Sequence, residues 1–393
     1  MSHSNETRPT PIKLNRRKFL SCSAAAGLAL SSGRGVEGAI ASASGSCRIG
    51  LIGLGSRGTS LLRSLLELEN ARVVALCDSE PKHLARGGGI VEKSKGSRPE
   101  SFTDYMRMLE RDDIDAVVAA LPCDLHAEVY TQAIRAGKHL YAEKPLGLTR
   151  AECDRVIAEA ERSPDLVVRV GFQRRYNPRY IEGIELLQSG DLGALLEGRA
   201  AWVSSNGPVT GHDGWLARRE RSGDWMVEQA VHVWDLFRRL MSRPPAFAFG
   251  TGRRDLFHAI DPARDVTDHY AAVVHWDQDF HLSFSHSWVD PADDSFTGVW
   301  QKVIGSNGGI DFGTGTATYR DRDRPRRSLH PGNIPDTKFA LVSFLSAIAA
   351  GEVESPRESL IEARDATLIG LLVRKAVDER RVVSWNEIAE PRA

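Results

Sequence analysis

The sequence predicts an α/β fold: an N-terminal doubly wound parallel sheet of the Rossmann type, then a C-terminal α+β domain with a mixed or antiparallel open sheet. Three observations carry that prediction. A glycine-rich turn, Gly53-Leu54-Gly55-Ser56-Arg57-Gly58, joins a short apolar run to an amphipathic one. Apolar runs then alternate with segments of helical spacing as far as about residue 165. Farther along, a stretch whose even positions are large and apolar has the period of strands with one buried face.

Residues 1–43 stand apart from either domain. Lys13, Arg16, Arg17 and Lys18 precede a weakly apolar run from Phe19 to Leu30, and the small residues of "ASASG" suit a signal peptidase, which places cleavage after Ala43. Twin arginines, apolar run and small-residue site in that order read as a twin-arginine export signal, and the run is too short to span a bilayer. The export machinery is then an expected partner, and the periplasm or the exterior the expected location.

Within residues 44–165, "CRIGLIG" reads as the first strand, "SLLRSLLELEN" as a helix and "ARVVALCD" as the second strand. "DIDAVVAALP" is a later strand, "LHAEVYTQAIRAG" a helix and "KHLYAEKP" the next strand. In residues 166–393, "LVVRVGF" reads as a strand, "RYIEGIELLQSG" as a helix closed by Gly190 and "LLEGRAAWVSS" as a strand. "HYAAVVHWDQDFHLSFSHSW" reads as a hairpin, with Tyr270, Ala272, Val274, Trp276, Phe280, Leu282, Phe284 and Trp288 on its apolar face. Helices at about 336–350 and 357–379 finish the chain. An open sheet of this kind suits a homo-oligomer, a dimer or tetramer.

Of the 393 residues 41% are hydrophobic and 26% charged, with 51 Lys and Arg against 52 Asp and Glu, so no basic excess points to nucleic acid. Cys47, Cys77, Cys123 and Cys153 match no zinc or redox spacing. His269, His275, His281 and His286 fall on the hairpin, where His275 and His281 can be cross-strand neighbours. A metal needs three or more converging ligands, so these histidines are read as polar sheet-face residues.

The glycine-rich turn has the context of a dinucleotide site. Gly53 permits the tight turn, Gly55 lets a pyrophosphate approach the backbone, and Gly58 lets helix and strand pack, with Ser56 and Arg57 at the helix N-terminus. Asp78 ends the second strand about 20 residues on, where a carboxylate bonds ribose hydroxyls and repels a 2′-phosphate. NAD is therefore expected over NADP, with Arg57 the residue that would reach a phosphate. Glu143-Lys144-Pro145 ends a later strand at the carboxyl edge of the sheet, which puts Lys144 near the nicotinamide.

On "AEKP" after a Rossmann pattern, "LPCDLHAEVYTQAIRAGKH", "VGFQRRYNPRY" and "EQAVHVWDLFRRL", the chain resembles the Gfo/Idh/MocA oxidoreductase family from about Arg48 to its C-terminus. The resemblance implies that Leu121, Pro122, His126 and Glu143 lie beside the cofactor. It places Arg174, Arg175, Tyr176 and Asn177 where the chain crosses towards the cofactor, Arg174 serving cofactor or substrate and Tyr176 the substrate. It makes "EQAVHVWDLFRRL" the catalytic helix, with Glu228 where the family has Asp. On one helix Glu228 and His232 share a face and Asp235 lies near it. His232 is then the general base for the hydroxyl proton, and Lys144 stabilises the reacting oxygen. Trp225, Glu228 and Asp235 are expected at the substrate, Trp225 as a stacking surface or a core residue.

An export signal beside a nicotinamide site implies a cofactor loaded before export and held tightly, as in the similar glucose-fructose oxidoreductases; inositol dehydrogenases are the other members it resembles. The expected activity is hydride transfer between NAD and a sugar, sugar alcohol or glycoside. An NAD-dependent glycosidase, working by transient oxidation and elimination, is the alternative on the same residues. A non-catalytic sugar or dinucleotide sensor is the third reading.

Overall fold

The computed structural model describes residues 46–277, 279–331, 336–351 and 356–390, and the export segment expected over residues 1–43 lies outside them. Strand β1 (Cys47–Ile52) buries Ile49 and Leu51 fully and runs into Gly53, whose φ of +85° turns the chain towards α1 (Ser56–Leu66). A Cβ on Gly53 would lie 2.0 Å from the Ala120 carbonyl oxygen, so only glycine fits there.

The first domain continues through β2 (Ala71–Cys77), α2 (Pro81–Lys95), β3 (Glu100–Phe102), α3 (Tyr105–Leu109), β4 (Ala116–Ala119), α4 (His126–Arg135), β5 (His139–Ala142), α5 (Arg150–Arg162) and β6 (Val168–Val170). All six strands are parallel, in the order β3-β2-β1-β4-β5-β6, which reverses at β1 and opens the ligand crevice of a doubly wound fold there. The four residues of β4 are all buried, as strands covered on both faces require. One boundary differs from the expectation. The segment read as opening the second domain supplies β6, with Val168 opposite Leu140 of β5, so the parallel sheet runs past residue 165. A short apolar run does not encode which sheet edge it joins.

The second domain comprises α6 (Pro178–Gln188), β7 (Leu195–Val203), α7 (Trp225–Glu228), α8 (Val231–Met241), β8 (Phe247–Arg253), β9 (His269–Trp276), β10 (Phe280–Ser287), β11 (Gly298–Gly305), β12 (Gly308–Asp311), β13 (Thr316–Tyr319), β14 (Arg327–Ser328), α9 (Asp336–Ala350), α10 (Pro356–Glu379) and β15 (Val383–Ser384). Its nine strands form a mixed sheet in the order β14-β13-β12-β11-β7-β10-β9-β8-β15, antiparallel except where β7 meets β10. The β9–β10 hairpin pairs Tyr270 with His286 and His275 with His281, and all eight expected apolar-face residues are buried.

α8 and α10 pack on the inner face of this sheet, with Phe237, Leu372 and Val373 in the shared core. α9 goes elsewhere. Its Ala340, Leu341, Phe344 and Leu345 join Leu61, Leu62 and Leu65 of α1 and Ile49 and Leu51 of β1 in one apolar cluster, so a late segment of the chain covers the first domain. Among the described residues no helix is long and apolar enough to cross a membrane.

Candidate active site

The glycine-rich turn fits a dinucleotide. A Cβ on Gly58 would lie 1.8 Å from the Gly53 carbonyl oxygen, which is the close helix-strand packing expected of the third glycine. A Cβ on Gly55 would meet nothing within 4 Å, so the backbone before α1 faces open space where a pyrophosphate can approach. Asp78 follows β2 and accepts from the backbone N–H of Leu54 at 2.6 Å and of Glu80 at 2.8 Å, locking the turn to the strand that carries the ribose-reading carboxylate. His83 Nδ1 lies 3.3 Å from both Asp78 oxygens. The loop after β7 brings His212 edge-on to the His83 ring at 5.3 Å, with Nε2 3.9 Å from a Glu80 carboxylate oxygen. A segment of the second domain thus crosses the adenosine end of the crevice.

At the end of β5, Glu143 is buried and accepts from Arg57 Nε at 2.7 Å, while Arg57 Nη1 donates to Thr337 Oγ1 of α9 at 3.0 Å. One guanidinium therefore ties the glycine-rich turn, the Glu143-Lys144-Pro145 strand end and the returning helix. Beside it Lys144 Nζ donates to Glu228 Oε1 at 2.6 Å and to the Glu228 carbonyl at 2.5 Å. Burial, the largest single influence on the Lys144 ammonium, acts to lower its pKa, but the Glu228 carboxylate with its hydrogen bond, Cys123 and Glu143 together outweigh it and raise the pKa above its ordinary value.

The helix expected through Glu228 and His232 is broken. Gln229 and Ala230 separate α7 from α8, and Ala230 N–H bonds five residues back to the Trp225 carbonyl at 2.8 Å, a π-type turn. Glu228 is thereby given to Lys144, and among the described residues no hydrogen bond or ion pair links it to His232. His232 is buried between Trp202, stacked at 6.3 Å, and Phe172, edge-on at 5.9 Å, and its Nδ1 has no hydrogen-bond partner. Burial first, then the charges of Lys144, Arg174 and Arg57, push the imidazole well below its ordinary pKa, so it stands neutral and ready to accept a proton.

Several sequence-named residues serve the scaffold. Asp235 is ion-paired with Arg175, accepting from Nη2 at 2.5 Å and Nε at 3.0 Å, both side chains buried, so its carboxylate is spent inside the protein. Trp225 is 1% exposed and packs on Trp288 and His286, so of its two expected roles, sugar-stacking surface at the substrate or core residue, the structure gives it the core. His126, 1% exposed, has one ring nitrogen 2.6 Å from the Pro145 carbonyl and the other 2.9 Å from the Leu121 carbonyl, joining the ends of β4 and β5 from within. Tyr176 packs on the first-domain core and accepts from Arg169 Nη1 at 3.0 Å. Among the hairpin histidines, His275 stacks on Phe247, His281 lies 3.7 Å from Glu197, and His286 lies 2.8 Å from Gln229 Oε1. Burial pushes the His286 imidazole down to about 3.

Two residues of the site escaped sequence reading. Trp202 closes β7 inside "AAWVSS", where an inward aromatic at a strand end was the available signal. Asp224 holds a positive φ of 74° and is fully buried. Its carboxylate takes N–H groups from Trp225 and Thr267, the Thr267 hydroxyl and Arg219, fixing the start of α7. A non-glycine residue in that region is strained and persists because these bonds hold it.

Two family models match the chain. An oxidoreductase family model with an NAD-binding Rossmann fold covers residues 47–172, and a GFO/IDH/MocA C-terminal domain model covers residues 181–311. Myo-inositol 2-dehydrogenase of Thermotoga maritima is 26% identical over 354 residues, 87% of this chain and 99% of that protein. α-N-Acetylgalactosaminidase of Shewanella oneidensis is 33% identical over 177 residues, 44% of this chain and 38% of that protein, so the match spans less than half of that relative. Scyllo-inositol dehydrogenase of Lactobacillus casei, solved with NAD(H) and scyllo-inositol, has a TM-score of 0.68 at 20% identity, covering 86% of this chain and 99% of that one; the likeness is one of fold.

Proposed function

Because this chain belongs to the Gfo/Idh/MocA family of oxidoreductases, with its NAD-binding Rossmann domain and C-terminal domain, we propose that it oxidises a hydroxyl of a sugar, sugar alcohol or glycoside with a retained NAD, after export by the twin-arginine route. One observation carries the chemistry: Lys144, paired with Glu228, stands next to Glu143, which is bonded to Arg57 of the glycine-rich turn, and the Lys144 and Arg57 charges both reach the His232 imidazole.

Bound NAD supplies a hydride acceptor. The chain's own groups do the rest. His232 takes the hydroxyl proton as the C–H bond gives up its hydride, and Lys144 Nζ stabilises the negative charge that grows on the oxygen. Glu228 holds the ammonium in place and keeps it protonated. Asp78 favours NAD by offering a carboxylate where a 2′-phosphate would sit. The His212 loop across the adenosine end supports retention of the cofactor.

The test begins with mass spectrometry of nucleotide released on denaturing extensively dialysed protein, followed by the absorbance of reduced nicotinamide with a panel of sugars and inositols. Bound NAD reduced by a panel member supports the reading, and Lys144→Met or His232→Ala should then slow reduction by about 100- to 10,000-fold. Protein that neither carries nor binds a dinucleotide overturns it. A second reading, favoured by the α-N-acetylgalactosaminidase likeness, is hydrolysis by transient oxidation and elimination. Aryl α-N-acetylgalactosaminide cleavage without lasting reduced nicotinamide would select it.

A further inference from the structure

Three cationic side chains act on the His232 imidazole: Lys144, Arg174 and Arg57. Two are neutralised at hydrogen-bond distance, Lys144 by Glu228 at 2.6 Å and Arg57 by Glu143 at 2.7 Å. Arg174 differs from both. Among the described residues it forms no ion pair and donates no hydrogen bond, and its Nη1 is buried without a partner. Its guanidinium lies 5.6 Å from the Tyr180 ring centroid and 5.7 Å from that of Trp202, faces that fix its position without using its N–H groups. The adjacent Arg175 shows the contrast, with its donors spent on Asp235 and Ser359.

The surroundings add a second unspent donor and remove the obvious counter-ion. Tyr180 donates to Gln301 Oε1 at 2.9 Å, and Gln301 Nε2, in a side chain 2% exposed, has no acceptor. Asp336 senses the Arg174 charge, but it accepts from Asn177 Nδ2 at 2.7 Å and makes no ion pair with Arg174. Arg174 follows β6, which the order β1-β4-β5-β6 sets three strand spacings, about 14 Å, from the strand that leads into the glycine-rich turn, and its charge reaches the His232 imidazole. Arg174 is only half-buried, but its Nη1 is shut off from water without an acceptor, which is costly, and a carboxylate offers the planar, two-oxygen partner that matches a guanidinium.

We propose that the substrate is a sugar acid, whose carboxylate lies against Arg174 while its reacting hydroxyl is held between Lys144 and His232. The ring then faces Trp202. This rests on the hydride-transfer reading above and names the substrate class within it.

The test uses NAD-loaded full-length protein and matched probes: glucose with glucuronate and gluconate, and galactose with galacturonate. Binding by calorimetry and reduction of bound NAD are measured for wild type, Arg174→Gln and Arg174→Lys. At least one acid should bind or react about 10- to 100-fold better than its neutral partner. Arg174→Gln should erase that advantage while retaining NAD, and Arg174→Lys should keep part of it. The inference is overturned if no acid exceeds its neutral partner, or if Arg174→Gln keeps the preference. Loss of NAD from Arg174→Gln with the acid preference intact also overturns it, by assigning the guanidinium to the cofactor. Failure of the hydride-transfer reading is distinguishable, because the wild type would then hold no NAD, or hold NAD that no probe reduces while calorimetry still reads the acid preference.

Discussion

Gly55 and Gly58 belong to one motif but answer to different constraints, and substitution separates them. Alanine at Gly58 drives a Cβ into the Gly53 carbonyl oxygen, a backbone atom that cannot swing away. Gly58→Ala should lower stability by about 2–4 kcal/mol with or without cofactor, read by thermal denaturation. Alanine at Gly55 meets open space. Gly55→Ala should leave the midpoint of the cofactor-free protein unchanged and reduce the rise in midpoint that NAD produces; equal losses in both states would sink the idea that a pyrophosphate fills that space. The His232 environment makes a prediction in pH. Its pKa is depressed, so the base stays neutral as pH falls through 6.5, and the acid limb of kcat/KM for NAD reduction should lie below that pH. These residues were legible because backbone geometry and chemistry restrict them to few types. Asp235 and Trp225 were not: what decides their role is Arg175, 60 residues away, and Trp288, and neither pairing leaves a local pattern.

Secondary structure was legible where period and punctuation agree, as in the β9–β10 hairpin and in α9 and α10. The break between α7 and α8 was not, because the apolar spacing of "EQAVHVWDLFRRL" continues through it, and a π-type turn shifts register without changing composition. What fixes α7 is Asp224, bonded to Thr267 from 43 residues on. The return of α9 to the first domain was equally hidden, since an apolar face does not state which core it will meet. The loop after β7 is the element with the sharpest consequence. Its His212 touches His83 and Glu80 of the adenosine end and lies outside the Lys144–Glu228–His232 group. His212→Ala should therefore speed release of NAD by about tenfold and weaken ADP-ribose similarly, while leaving nicotinamide mononucleotide binding unchanged. Stopped-flow displacement with excess NAD measures the first and calorimetry the others; an unchanged release rate would free the loop from any part in retention.

For the whole molecule, the proposed export and the proposed retention of NAD constrain one another. With association at about 10⁶ M⁻¹s⁻¹, even a nanomolar Kd lets half the cofactor escape within roughly ten minutes. A periplasmic enzyme with no nicotinamide pool to draw on then requires tighter binding, or a covered crevice, than a cytoplasmic relative does. The covering elements come from the second domain, through the His212 loop and through Thr337 of α9, which holds Arg57. A cofactor site completed by both domains exists only after the chain has folded, and the twin-arginine route carries folded proteins. Arg16→Lys together with Arg17→Lys should therefore leave the protein in the cytoplasm with NAD bound, while the wild type appears in the periplasm with one NAD per chain, counted by mass spectrometry of each fraction. Wild-type protein that reaches the periplasm empty would break the link between export and retention, and wild-type protein that stays inside the cell would remove the reason for retention while leaving the chemistry of Lys144 and His232 intact.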